Sequence, residues 1–276
     1  MKEPVRRGLR LLLLVVFLVS TALLVRQQLD KLSGGESYAQ AQQIAMADPT
    51  KTAEETAEAT TETEAARRET RWVPAPVEEE DPVLEKLASV DLAVLRQTNA
   101  DVVGWIHIPQ SKVDYPLLQG TDNDYYLHHT WDGKNNAVGS IFLEYQNSPG
   151  LTDFNTIVYG HNMNNGSMFA SLRSYATEGY WQARPYVYVV CEEGVYRYEV
   201  FSSYKADLDS PVYGLSFDLT ETKAEFLLYA MEQSVIDTGV MPDVTDRILT
   251  LSTCSGAGYT NRWVVHARLK MVETEV

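Results

Sequence analysis

Eight short runs rich in β-branched and aromatic residues recur along the chain, at 103–108, 113–117, 140–144, 155–159, 186–191, 195–204, 247–254 and 262–271. Branched and ring side chains pack well on a pleated surface, so each run predicts a strand. Clusters of Gly, Asn, Asp and Pro separate them, and Glu192-Glu193-Gly194 reads as a hairpin turn. Eight strands with few helical crossovers predict a closed or nearly closed β-barrel, the arrangement that removes exposed sheet edges. Helices are added to it. Asp81-Pro82 opens a leading helix over 82–97 with Leu84, Leu87 and Leu95 in its apolar stripe. Shorter helical patterns fall at 121–129 and 168–175. The clearest, at 220–236, carries Phe226, Leu227, Ala230, Met231 and Val235 on one face, with Asp218 and Glu221 spaced as a capping box. It lies in the long 205–246 connection, an insertion just before the strand that ends at Cys254.

The first third of the chain has a different character. Lys2, Arg6, Arg7 and Arg10 precede an apolar run over 11–25, closed by Arg26. Those fifteen residues reach about 22 Å as a helix, short of a hydrocarbon core of roughly 30 Å. A span therefore draws in Gly8, Leu9 and snorkelling arginines. A cleaved signal peptide is the rival reading, but Leu23-Leu24-Val25-Arg26-Gln27 offers no small-x-small cleavage site directly after the run, which favours a retained anchor. The positive flank keeps 1–8 in the cytoplasm and sends everything after Arg26 outside. Residues 36–81 hold twelve acids against four bases and little apolar surface. The expected organisation is a basic cytoplasmic N-terminus at 1–8, a transmembrane signal-anchor at 9–26, an acidic disordered stalk at 27–81 and a folded domain at 82–276. That domain is itself acidic, which argues against nucleic acid as a partner.

Only two cysteines occur, Cys191 and Cys254. A disulfide between them stays open, although residues 82–276 can bury a sufficient core without one. There is no C-x-x-C, and His128-His129 lack a third ligand at any usual spacing, so no metal site is expected. Cys191 ends an apolar alternation and reads as a small strand residue. Cys254 differs. In R-I-L-T-L-S-T-C, Leu249, Leu251 and Thr253 face one way while Ile248, Thr250, Ser252 and Cys254 face the other, which places the thiol on the more polar side. Ser255-Gly256-Ala257-Gly258 then breaks the strand and leaves the sulfur at a rim. Arg262 follows eight residues later, and His161 sits upstream in Y-G-H-N-M. A thiol, an imidazole and a guanidinium make a nucleophilic site. Each also has a plainer reading: a buried structural cysteine, a turn histidine, and a surface cation on a solvated basic face shared with His266 and Arg268. The papain-like order is reversed here, and the caspase signature is missing.

The combination T-L-S-T-C at 250–254, Arg262 opening R-W-V-V-H-A-R-L, and His161 in V-Y-G-H-N-M resembles the sortase family. The resemblance covers residues 82–276 and the anchor topology. D-V-V-G-W-I-H-I at 101–108, V-D-Y-P-L-L-Q-G-T-D-N-D-Y-Y-L at 113–127, the leading helix and the helical insertion are most similar to class B, and no lid-type Asp-Pro-aromatic motif of class C lies upstream. This implies a mainly β fold with added helices, an eight-stranded sortase-type barrel. It also implies a single-pass membrane enzyme of a Gram-positive bacterium, with its catalytic domain extracytoplasmic. Cys254 would attack the Thr carbonyl of a C-terminal sorting motif in a secreted protein, giving a thioester that a peptidoglycan amine resolves. His161 would protonate the departing amine and deprotonate the incoming one. Arg262 would donate to the oxyanion or the substrate backbone. Asn123 and Leu127, one helical turn apart, would line the peptide groove, with Tyr159 and Ser252. No metal or cofactor is implied. The alternatives are a pilin-polymerising sortase and a catalytically inactive surface binding module. His107, His128, His129 and His266 read as structural or exposed.

Overall fold

The computed structural model describes residues 3–46, 81–254 and 260–273. Its strands are β1 (Val102–His107), β2 (Asp114–Leu118), β3 (Ile141–Leu143), β4 (Asn155–Gly160), β5 (Tyr186–Cys191), β6 (Gly194–Asp207), β7 (Ile248–Cys254) and β8 (Asn261–Glu273). They close into a barrel in the order β1-β2-β3-β4-β7-β8-β6-β5. Two of the pairings are parallel, β2 with β3 and β4 with β7. A parallel pair cannot be joined by a hairpin, so the chain must make a longer crossing each time. Those crossings build the walls of the cleft described below.

Strand alternation divides the apolar residues between two cores. Leu249 and Leu251 of β7 point into the barrel with Trp105, Leu117, Phe142, Val158 and Val265. Ile248 points outward and joins Phe201, Tyr204, Val264 and, from helix α4 (Thr220–Glu232), Phe226, Leu227 and Ala230. The insertion therefore covers an outer face of the barrel. Full burial of one such Leu or Phe contributes roughly 1.5–3 kcal/mol, so the pattern of β7 is pinned from both sides.

Between the two cores runs a polar chain. The Thr250 hydroxyl donates to Asn155 Oδ1 at 2.6 Å and lies 2.9 Å from His266 Nδ1, while His266 Nε2 lies 3.1 Å from the Tyr204 hydroxyl. With the Thr250 proton committed to Asn155, His266 Nδ1 carries a hydrogen and Nε2 accepts from Tyr204. His266 has no exposed surface, and burial depresses its pKa to about 3. Arg268 is held by Glu199. The solvated basic face considered for β8 is thus not formed: His266 is a neutral core residue.

Other departures involve helices. The leading helix is two, α2 (Pro82–Ala88) and α3 (Leu92–Thr98), because Asp91 caps the second by accepting from Val94 N–H as Asp81 caps the first at Val83. Only a 3-10 turn, Tyr125–Leu127, forms within 121–129, and a 3-10 helix, Ala170–Ala176, overlaps 168–175. The Asp218/Glu221 capping box is not formed; Leu219 is the cap residue and Thr222 Oγ1 donates back to its carbonyl.

The largest difference lies at 27–45, expected in the disordered stalk. Helix α1 runs unbroken over Glu3–Ala45. Leu11 to Val19 and Leu23 to Val25 are largely exposed, and the helix contains a stretch of mean hydropathy 1.9, long and apolar enough to cross a membrane. Its second half docks on the barrel. Tyr38, Ala41 and Ala45 are buried, Tyr38 donates to the Gly139 carbonyl at 2.6 Å, and the Trp131 indole donates to the Ser37 carbonyl at 2.9 Å. A side chain at Gly34 would meet Val138 at 2.9 Å, so the glycine permits the close approach. These tertiary contacts order a segment whose composition alone reads as stalk. The remainder of the stalk, 47–80, lies outside the described residues.

Candidate active site

Strands β4, β7 and β8 are neighbours in the barrel, and their registers place three residues at one end. Tyr159 pairs with Ser252 and Gly160 with Thr253 in the parallel β4/β7 ladder. One step further along each strand stand His161 and Cys254. On the other side, Cys254 pairs directly with Arg262 in the antiparallel β7/β8 ladder. The Cys254 side chain and residues 255–259 lie outside what the structure describes, so the backbone register locates the cysteine.

A cleft of about 350 Å³ opens here. Asn123, Leu127, Tyr159, His161, Ser252 and Arg262, all six of the other sequence-predicted site residues, line it. So do Phe142, Gly160, Leu208, Tyr213 and Thr253, which the sequence reading did not propose. Asn123 and Leu127 come from the β2-to-β3 crossing, Leu208 and Tyr213 from the β6-to-β7 insertion. Strand alternation turns Thr253 away from Cys254, yet at the strand's end both faces of β7 reach the cleft. Its Oγ1 is buried and has no hydrogen-bond partner among the described residues. Tyr213 ends a short 3-10 turn, Pro211–Tyr213, whose sequence signals are Pro211 at its start and Gly214 after it. Asn155 Nδ2 holds that turn through the Val212 and Gly214 carbonyls at 3.0 and 2.9 Å, and the Tyr213 hydroxyl lies 3.1 Å from Ser252 Oγ.

His161 is set by two glycines. A side chain at Gly160 would collide with Ile141 at 2.4 Å and Phe169 at 2.8 Å, so β4 can end there only as glycine. Gly139, at φ 61°, passes beneath the imidazole, where a Cβ would lie 2.8 Å from His161 Cδ2 and 2.7 Å from the Leu127 carbonyl oxygen. His161 Nε2 is 2.8 Å from that same oxygen. Partial burial holds the imidazole below its ordinary pKa; the Leu127 carbonyl opposes the shift, and the nearby His128 and Arg262 add to it. His161 is therefore neutral near pH 7. Burial and then Glu144 push the Tyr159 hydroxyl up.

Cys191 is a buried free thiol at the end of β5, pushed up to about 12 by burial, and so is not a nucleophile. His107 bonds Asp114, and His129 stacks on Tyr125 at 3.9 Å between ring centres.

A cysteine transpeptidase is the class of protein that this barrel and its cleft define. A family model described as a sortase domain matches residues 106–270, more than half of the chain. The chain belongs to the sortase family. It is 42% identical over 167 residues to Sortase B of Listeria monocytogenes, which covers 59% of this chain and 67% of that protein. With Sortase B of Staphylococcus aureus the identity is 33% over 177 residues, 63% and 72% of the two chains. Among solved structures, a Staphylococcus aureus sortase B–substrate complex superposes with a TM-score of 0.63 at 33% identity, covering 66% of this chain and 85% of that one. Sortase B from B. anthracis in complex with AAEK1 gives 0.66 at 30% identity, covering 87% and 98%. The family members it resembles are thus class B sortases.

Proposed function

We propose that this enzyme is held in the membrane by residues 9–26 and that its extracytoplasmic domain cleaves a C-terminal sorting motif of secreted proteins, joining them to a peptidoglycan amine. The Cys254 sulfur attacks the carbonyl carbon of the residue before the scissile bond, and the thiol proton passes to His161 Nδ1. Arg262 donates to the oxygen on which negative charge gathers, a task suited to a fixed and permanently charged fork. As the C–N bond breaks, His161 returns that proton to the departing amine, leaving a thioester. The acceptor amine then attacks the thioester, loses a proton to His161 and expels the thiolate, which takes the proton back. Asn123, Leu127, Tyr159 and Ser252 hold the peptide along the cleft.

The observation that carries this reading is the pair of registers that sets Cys254 opposite Arg262 and one step beyond the Gly160/Thr253 pair that leads into His161. The exposed apolar half of α1 supports the membrane attachment. The decisive test is C254A in an assay of sorting-motif peptide cleavage with an amine acceptor present. Activity should vanish, and full cleavage by the variant would sink the proposal. Mass spectrometry of surface products should find a stem peptide on the substrate, where a pilin polymerase would give a protein ladder.

A further inference from the structure

The polar end of the cleft is organised by a side chain that does not itself line it. Glu144 follows β3 and is 4% exposed. Its Oε2 accepts from Asn123 Nδ2 at 2.6 Å and from the Tyr159 hydroxyl at 2.9 Å, while the Gln146 amide lies 3.4 Å from Oε1. On the other side of the same Asn123 amide, Oδ1 accepts from the Tyr145 N–H at 3.1 Å. The orientation of Asn123 is therefore set by its partners, with its nitrogen toward Glu144 and its oxygen toward the Tyr145 backbone. None of these contacts takes part in the acyl transfer described above.

We infer that Glu144 is a positioning residue that sets the hydrogen-bonding pattern the cleft presents to its peptide, a step that rests on the proposal that Asn123 and Tyr159 contact that peptide. Asn123 spends one amide hydrogen on Glu144 and keeps the other to donate. Tyr159 spends its single hydrogen on Glu144 and keeps only oxygen lone pairs to accept. The two residues thus offer one donor and one acceptor side by side, both immobilised before substrate arrives. A carboxylate suits the buried position because it accepts twice and donates nothing. A glutamine oxygen in the Oε2 place still accepts from both, but without the charge that strengthens the two bonds, and its NH2 group then faces the Gln146 N–H, so Asn123 and Tyr159 are held less firmly.

The test compares E144Q, E144D, N123A and the double variant N123A/E144Q in the full chain. The probe is a fluorogenic peptide copied from the C-terminal sorting motif of a secreted protein encoded beside this one; alkylation of Cys254 by iodoacetamide and thermal unfolding are followed in parallel. E144Q should raise KM about threefold with kcat within about twofold and alkylation unchanged. E144D, too short to reach both partners, should shift KM the same way and carries the test if E144Q does not fold. The double variant should cost less than the product of the two single effects, because part of what Glu144 does passes through Asn123 and the rest through Tyr159. Unchanged KM in both Glu144 variants, or independent multiplication of the two effects, would overturn the inference while leaving the groove assignment standing. Unchanged KM in N123A would overturn the groove assignment itself, and the inference with it.

Discussion

His161 Nε2 lies 2.8 Å from the carbonyl oxygen of Leu127, and a carbonyl can only accept. Nε2 therefore carries the hydrogen in the neutral imidazole, and Nδ1 is the nitrogen with a lone pair to take a proton. The same contact ties the base to the β2-to-β3 crossing that carries Asn123.

The protonation of this histidine is the first expectation. Partial burial, with smaller contributions from nearby His128 and Arg262, outweighs the help of the Leu127 carbonyl, so the group holds its proton less tightly than a free histidine. Following the His161 Cε1–H signal by NMR should give a midpoint below the ordinary value of about 6.5. A midpoint at or above that value would mean the cleft is wetter than the structure shows.

Thr253 offers a trade of stability against activity. Its hydroxyl is buried without a partner among the described residues, which costs free energy in the resting protein. T253V keeps the shape and removes the orphan group, so it should unfold at a higher denaturant concentration, by up to about 1 kcal/mol. Peptide cleavage should fall, since Thr253 lines the cleft one residue before Cys254. Equal stability and full activity would show that the group is already satisfied.

The docked half of α1 is tested at Tyr38, whose hydroxyl reaches both the Gly139 carbonyl and Ser140 Oγ. Y38F should cost about 1 kcal/mol in chemical unfolding. Because Gly139 lies under the His161 ring, the same change should also slow peptide cleavage. G34V should do more, because its branched side chain has no room against Val138. If neither variant alters unfolding, the segment does not rest on the barrel in solution.

Strands were legible where the cause of structure is local. Alternation in the 186–191 run and the turn at Glu192-Glu193-Gly194 act over a few residues, and β5 and β6 start and stop within three residues of the pattern. Helices were less so. The 27–45 segment is ordered by Trp131, Val138 and Gly139, about a hundred positions away in the chain, and no periodicity within it reports them. The cleft divides in the same way. His161, Arg262, Asn123, Leu127, Tyr159 and Ser252 were placed by motif and strand face, and all six line one cavity. Tyr213 was not found because Asn155, on a distant strand, fixes its loop. Glu144 was missed because a glutamate at a strand end looks like an ordinary surface charge until its partners are known.

His266 gives the protein a stability that depends on pH. Its folded pKa is depressed to about 3 by complete burial, whereas an unfolded chain protonates the same ring near 6.5. Between those values the unfolded state binds a proton that the folded state refuses, so stability is fully present above about 6.5 and declines as pH falls toward about 3. Well inside that window the slope is on the order of 1 kcal/mol per pH unit. Carboxylates titrate over the same range, so the wild-type curve alone does not isolate the effect. H266Q can donate to Thr250 and accept from Tyr204 as the histidine does, yet cannot take up a proton. Urea unfolding of both proteins from pH 4.5 to 7.5 should show the variant losing less stability on acidification, with the difference between them widening at each lower pH. A difference that stays constant would mean the ring is solvated, and the polar chain from Asn155 to Tyr204 would then not be sealed between the two cores.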